Sequence, residues 1–201
     1  MSRYAAIEGV DGAGKSTVAA GVAAALQERG HDVVRVREPG GTAAGEAIRA
    51  ILLATDSELS DWTEALLFAA ARAQLAAAIV GPALESGKVV VSDRSVYSSL
   101  AYQGAGRGLP IDAVREVNRA GLGDVWPDTV ILLRLDPEHG LQREDEADRI
   151  SLAGARLHDR VARAYDELAE AEPGRFVVID GSMPVDEVIR AATEALRERW
   201  S

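Results

Sequence analysis

Apolar residues fall in short runs that alternate with longer stretches of three-and-four spacing. Tyr4-Ala5-Ala6-Ile7, Val33-Val34-Arg35-Val36, Val89-Val90-Val91, Thr129–Leu135 and Phe176-Val177-Val178-Ile179 read as five buried strands. Ser16–Arg29, Ala43–Leu53, Pro110–Arg119 and Val185–Arg199 carry helical spacing, and Gly30 stops the first of them. A longer helix is predicted from an N-cap at Asp61, with Glu64 three residues on, to about Ser86; Pro82 should kink or divide it. Strands separated by helices predict βαβ units. The fold class is therefore α/β, a five-stranded parallel sheet with helices on both faces in three layers. Ligands of such sheets bind beyond the carboxyl ends of the strands.

The length of 201 residues fits one domain spanning 1–201. With 22 Lys+Arg against 32 Asp+Glu the formal net charge is −10, and no basic tract interrupts the acidic balance. Such a chain is a poor partner for nucleic acid. The longest apolar stretch, Leu66–Ile79, contains Arg72 and Gln74, so no membrane span is expected. Met1-Ser2-Arg3-Tyr4 runs straight into the first strand without the pattern of a signal peptide. The absence of cysteine excludes disulfides, thiolate metal sites and a cysteine nucleophile, and leaves the cytoplasm as the expected compartment. Lysine occurs only at positions 15 and 88, so a lysine inside a glycine-rich segment stands out.

That segment is Gly9-Val10-Asp11-Gly12-Ala13-Gly14-Lys15-Ser16, followed by Thr17. It matches G-x-x-x-x-G-K-[ST] at every fixed position, with a strand before it and a helix after it. Glycines let backbone N–H groups converge on phosphate oxygens, and the helix N-terminus adds partial positive charge. Lys15 should reach the β- and γ-phosphates, and the Ser16 hydroxyl should ligate Mg²⁺. The pattern predicts a P-loop NTPase fold with ATP and Mg²⁺; it does not specify the acceptor. The third strand ends in Ser92-Asp93-Arg94. Asp93 can hold the metal directly or through water, and Arg94 can clamp an anion. An ordinary strand-end ion pair is the alternative.

Further segments carry a resemblance. They are Glu8–Ser16, Arg37-Glu38-Pro39-Gly40-Gly41-Thr42, Phe68-Ala69-Ala70-Ala71-Arg72, Asp93-Arg94 with Ser98-Ser99-Leu100-Ala101-Tyr102-Gln103-Gly104, Pro127-Asp128 and Asp148-Arg149-Ile150. In this order they resemble the thymidylate kinases, within the P-loop nucleoside monophosphate kinases, over nearly the whole chain. The resemblance implies transfer of the ATP γ-phosphoryl group to dTMP, giving ADP and dTDP on the way to dTTP. It also implies a homodimer, packed through helices such as Asp61–Ser86.

Phe68 and Arg72 are four apart and share one helix face. By spacing alone they are a core phenylalanine and a solvated charge; the resemblance instead makes them the stacking and hydrogen-bonding partners of thymine. It likewise implies base contacts for Ser99 and Gln103, and a sugar contact for Tyr102. Asp11 would approach the 3′-hydroxyl, Arg49 and Arg94 would hold the acceptor phosphate, and Glu38 would assist in the same pocket. No general base is needed, because the acceptor oxygen already belongs to an anionic phosphate. His31, His139 and His158 read as surface residues.

The match has departures. One family type carries Arg after the phosphate-loop acid, where this chain has Gly12; the other carries several cations in a lid. The lid expected at about 143–151 is short and acidic in its middle. Within it Arg143 resembles the adenine-stacking residue. Arg149 resembles the arginine that approaches the ATP phosphates, and is expected to supply the missing charge, with Arg156 or Arg160 in support. Ser95 stands where an aromatic or His often follows Asp-Arg, which should loosen the acceptor pocket, and Arg134 on the fourth strand has no account. Two other readings stay open: a kinase of a related pyrimidine nucleotide such as dUMP, and a nucleotide-binding protein with little or no catalysis.

Overall fold

The computed structural model describes residues 3–141, 149–150, 152 and 154–201. Five strands, Tyr4–Gly9 (β1), Val33–Arg37 (β2), Val89–Asp93 (β3), Thr129–Arg134 (β4) and Phe176–Asp180 (β5), form one sheet in the order β2-β3-β1-β4-β5. Every neighbouring pair is parallel. The helices among the described residues are Lys15–Glu28 (α1), Ala43–Leu53 (α2), Asp61–Leu75 (α3), Gly81–Glu85 (α4), Val96–Ser99 (α5), Ile111–Leu122 (α6), Pro137–Leu141 (α7), Ala155–Ala171 (α8) and Val185–Trp200 (α9).

Strand alternation sends neighbouring residues of β1 and β3 into different clusters. Ala5, Ile7, Val89 and Val91 pack in the larger cluster with α1 residues Val18, Val22 and Leu26. Tyr4, Val36 and Val90 pack in the smaller one with Leu75, Val80 and Ala83. Covering one such Val or Leu side chain contributes about 1.5–3 kcal/mol. β1 is buried along its whole length, and its only charged residue, Glu8, is fully buried with it. The chain leaves β1 toward β2 on one side and leaves β3 toward β4 on the other. The connections therefore diverge between β1 and β3, and a crevice opens there at the carboxyl ends of the strands.

The long helix begins one residue earlier than expected. Ser60 is its N-cap, its side chain accepting from the Thr63 N–H, and Asp61 is the first helical residue. Glu64 is then not a capping residue; it is buried. Pro82 does mark a division, since a π-helical turn at Ala76–Val80 separates α3 from α4. The rod Asp61–Glu85 is long and apolar enough to cross a membrane by length and composition alone. Its buried face nevertheless carries Glu64 and Arg72, both ion-paired inside the protein, as in a core helix. A second π-helical segment, Leu100–Gly106, follows α5 and packs on α8.

Arg134 has a plain role: it pairs with Asp166 across an exposed surface at 2.8 Å. Of the expected lid, Arg149 and Ile150 are described, whereas Arg143 lies outside the described residues.

Candidate active site

A cavity of about 460 Å³ opens over the carboxyl ends of β1, β2 and β3. Asp11, Gly12, Gly14, Lys15, Ser16 and Thr17 line one side of it. Glu38, Arg49, Phe68, Arg72, Tyr102 and Gln103 line the other, with Asp93 and Arg94 between. The phosphate-loop residues are thus brought to the same space as most of the expected acceptor residues. Gly9, Val10 and Ala13 build the loop from beneath; Val10 and Ala13 are buried in the core.

In the loop, the Lys15 ammonium donates to the Val10 carbonyl at 2.6 Å. Burial and the neighbouring Arg94 bring its pKa down to about 8, with Asp11 opposing them. The Ser16 hydroxyl donates to Asp93 at 2.5 Å, so strand β3 delivers its carboxylate to the start of α1. A hydroxyl beside a carboxylate, completed by ligand phosphates, is a donor set that suits Mg²⁺.

Gly12 sits at φ +72°, and a Cβ there would lie 1.9 Å from the Gly140 carbonyl oxygen. A Cβ on Gly140 would in turn lie 2.1 Å from the Asp11 carbonyl oxygen. The loop and α7 touch backbone to backbone. No side chain fits at position 12, let alone an arginine.

Arg94 has a φ of +71°, a conformation that L-residues avoid and that costs of order 1–3 kcal/mol. Its backbone N–H is held by the Ile7 carbonyl at 3.0 Å. Its guanidinium lies 5.2 Å from the Tyr102 ring centre and pairs with Asp11. Burial alone would raise the Asp11 carboxyl, but Arg94 and Lys15 outweigh it and hold it below the usual carboxylate range. His158 also faces Asp11, at 3.8 Å, and only 1 % of it is exposed. This corrects the surface reading of that histidine: α8 turns it inward on the same face as Tyr165 and Val161. His31 is half-buried and His139 exposed.

Beneath Arg94 lies Glu8. Its carboxylate accepts from the hydroxyls of Ser95, Ser98 and Tyr165, each at 2.7 Å, and from the Ser98 N–H at 3.2 Å. Ser98 also accepts from Arg94 at 3.2 Å. Ser95 is fully buried, and its hydroxyl holds this turn by donating to Glu8 and accepting from the Tyr97 N–H.

The far wall is built around Arg72. Its Nε donates to Glu38 at 2.5 Å, and Nη1 donates to Ser99 at 2.9 Å and to Asn118 at 2.5 Å. Nη2 donates to the Ser95 carbonyl at 3.0 Å. Burial pushes the Glu38 carboxyl up to about 7 in spite of Arg72. Ser99 thus accepts from Arg72 and lies outside the cavity lining. Phe68 lies one turn before Arg72 and faces the cavity. Arg49 lines the same space and donates to the Pro39 carbonyl at 3.0 Å.

Arg149 is not at the phosphate loop. Its Nε donates to the Leu52 carbonyl at 2.9 Å, and its guanidinium pairs with Glu64 at 2.7 Å. Together with Arg107 it borders a second cavity beside residues 57–60. Sequence reasoning left Glu8, Asn118 and His158 without functional roles and read Glu64 only as a capping partner of Asp61. The available signal for Glu8 was a lone charge at the end of an apolar strand. Asn118 and His158 gave none, since each lies on an otherwise ordinary amphipathic helix.

The family model for thymidylate kinase matches residues 7–192. The thymidylate kinase of Deinococcus radiodurans is 42 % identical over 199 residues, covering 98 % of this chain and 97 % of that protein. Those of Desulfovibrio desulfuricans and Bacillus licheniformis are 43 % and 40 % identical, covering 98 % and 97 % of this chain and 97 % and 95 % of theirs. With the phosphate loop, Asp93-Arg94 and the Phe68/Arg72 pair gathered around one cavity, and with similarity of this extent along the chain, the protein belongs to the thymidylate kinase family.

Proposed function

We propose a division of labour among the residues of this cavity for the reaction of that family. The protein is an ATP-dependent nucleoside monophosphate kinase: it transfers the ATP γ-phosphoryl group to dTMP, giving ADP and dTDP. The observation that carries the assignment is the meeting of the Lys15 loop with Phe68, Arg72 and Gln103 in one cavity.

The backbone of residues 9–17 cradles the ATP phosphates, and Lys15 exchanges its Val10 carbonyl for phosphate oxygen. Mg²⁺, held by Ser16 and Asp93, supplies positive charge to the phosphate oxygens when bound. Arg94 and Arg49 hold the acceptor phosphate in line with the donor. Asp11, pinned by Arg94, faces the sugar, and the Tyr102 ring supports it. Phe68 stacks on the base, Arg72 donates to a base carbonyl, and Gln103 completes the edge. Alignment and charge neutralisation carry the rate, since the attacking oxygen is already anionic.

Arg143 and Arg149 belong to the ATP side by family pattern. For Arg149 this requires release from Glu64 on nucleotide binding. A homodimer packs through the exposed Trp62 and Leu66 of α3, which lie four apart on one face. The cysteine-free acidic chain works in the cytoplasm, on nucleotides and not on nucleic acid or membrane.

The test is ADP release in Mg-ATP with dTMP, dUMP, dCMP and dGMP supplied in parallel. dTMP-selective turnover is the expected result. Comparable turnover of dUMP makes the acceptor a broader class, because a methyl group discriminates by only about 1–3 kcal/mol. ATP binding without turnover of any of the four overturns the kinase assignment.

A further inference from the structure

Glu64, Phe68 and Arg72 recur at intervals of four along α3, so they form one stripe on one helix face. Phe68 and Arg72 face the cavity. Glu64 is 2 % exposed and lies behind its wall. From this stripe we propose that Glu64 is the positioning residue that makes the acceptor pocket select thymine or uracil over cytosine, by fixing the side-chain amide of Gln103 with its oxygen toward the base.

The inference rests on the acceptor reading above and adds a residue to it. Gln103 lines the cavity, and its Nε2 donates to Glu64 Oε1 at 2.9 Å. An amide has two ends of opposite polarity, and a carboxylate can only accept. As long as Glu64 is ionised, the nitrogen must face it and the oxygen must face away. Among the described residues the side-chain oxygen Oε1 of Gln103 accepts no hydrogen bond.

Glu64 is kept ionised by its neighbours. Arg107 donates to it twice, at 3.2 and 3.0 Å, and Arg149 pairs with it at 2.7 Å. Burial would raise its carboxyl, but Arg107 and Gln103 outweigh burial and hold it below the usual range.

The opposite half of the code comes from Arg72, which can only donate. Four of its five N–H groups are committed to Glu38, Ser99, Asn118 and the Ser95 carbonyl, and one remains on Nη2. A base entering beside Phe68 therefore meets one donor and one acceptor. Thymine and uracil present the complement, a carbonyl acceptor at position 4 and an N–H donor at position 3. Cytosine presents an amino donor and a ring-nitrogen acceptor, so both contacts would pair like with like. A site built to hydrogen-bond one pattern rejects the other strongly, because its own buried groups are then left unpaired. If the amide could rotate, Gln103 would offer an N–H to the cytosine ring nitrogen, and half of the discrimination would disappear.

The experiment compares kcat and KM for dTMP, dUMP and dCMP in the wild type, Glu64→Gln, Glu64→Asp and Gln103→Ala. In Glu64→Gln the partner can donate as well as accept, so the Gln103 amide loses its fixed polarity. The dTMP-to-dCMP ratio of kcat/KM should fall about ten-fold or more, through the KM values of the monophosphates. Glu64→Asp keeps a pure acceptor and should keep the ratio nearer the wild type, even if its melting temperature drops. Gln103→Ala should lose the ratio as Glu64→Gln does; it carries the test if Glu64→Gln fails to fold. A folded Glu64→Gln or Gln103→Ala enzyme with the wild-type ratio overturns the inference. A wild type that turns over no dTMP overturns the acceptor reading itself. A wild type active on dTMP with unaltered selectivity in the variants overturns only the role of Glu64.

Discussion

The two sides of the cavity are built by opposite means. The phosphate loop is backbone: consecutive residues, three glycines, and a contact with Gly140 that admits no Cβ. The acceptor side is made of side chains. Glu8, Glu38, Glu64, Arg72 and Arg94 come from β1, α3 and the loops after β2 and β3, and each is held by partners far away in sequence. A backbone cradle fails when atoms are added to it. A network of buried charges fails when one member is removed, because the partner is left charged, buried and unpaired. The first kind of damage should appear in activity alone, and the second in activity and stability together.

Lys15→Ala should give the largest loss of activity, about 10³-fold or more in kcat, since it removes a charge that acts on the transferring group. Its melting temperature should not fall. Burial disfavours the charged lysine in the free enzyme, its ion pair with Asp11 is long at 4.0 Å, and Asp11 keeps Arg94, so removing the lysine relieves a penalty and leaves no carboxylate unpaired. A clear drop in melting temperature would erase the contrast drawn here. Arg72→Ala should do both kinds of damage. It leaves Glu38 buried without its cation, at a cost of about 3–5 kcal/mol, or about 10 °C in melting temperature. Turnover of dTMP should fall with it.

Gly12→Ala should lower kcat/KM for ATP about 10²-fold, because the loop must shift by about an ångström to clear Gly140. Unchanged kinetics would mean that α7 gives way instead. A smaller effect is a proton. Lys15 titrates near 8 in the free enzyme, and bound phosphates must raise that value. ATP binding at pH 8 should then take up about half a proton, falling toward zero at pH 6, where the lysine is already charged. Calorimetry in buffers of different ionisation enthalpy reads this directly; proton release would contradict it. Arg134→Ala, at an exposed ion pair, should change stability by less than about 0.5 kcal/mol, as a denaturant midpoint would report.

Much of the fold and one side of the site were legible before the structure. The five strands and their flanking helices follow from periodicity, and the loop follows from a motif whose residues are neighbours in the chain. Asp93 was legible because it ends an apolar strand. Phe68 and Arg72 were legible as a helix face, although spacing alone favoured a core phenylalanine and a solvated arginine. The cap at Ser60 was missed by one residue, since Ser60 and Asp61 are both good capping residues.

Three placements have one cause in common. The resemblance implied roles for Ser99 and Arg149, and local pattern made His158 a surface residue, yet where each sits is decided by contacts 27 residues away or more. Ser99 is turned onto Arg72, 27 residues off in sequence, and His158 meets Asp11 only because α8 lies across the end of β1. Arg149 is drawn to Glu64, on a different helix.

Local pattern and short motifs, on their own, determined the sheet, its parallel sense, the phosphate loop and its affinity for a triphosphate. These depend on residues close together in the chain, whose geometry is fixed by backbone sterics and by the burial of alternating apolar positions. Tertiary structure alone decided which charges are paired and which face the cavity. Pairing between buried groups depends on distance and desolvation, and both are set only once the helices have closed over the sheet.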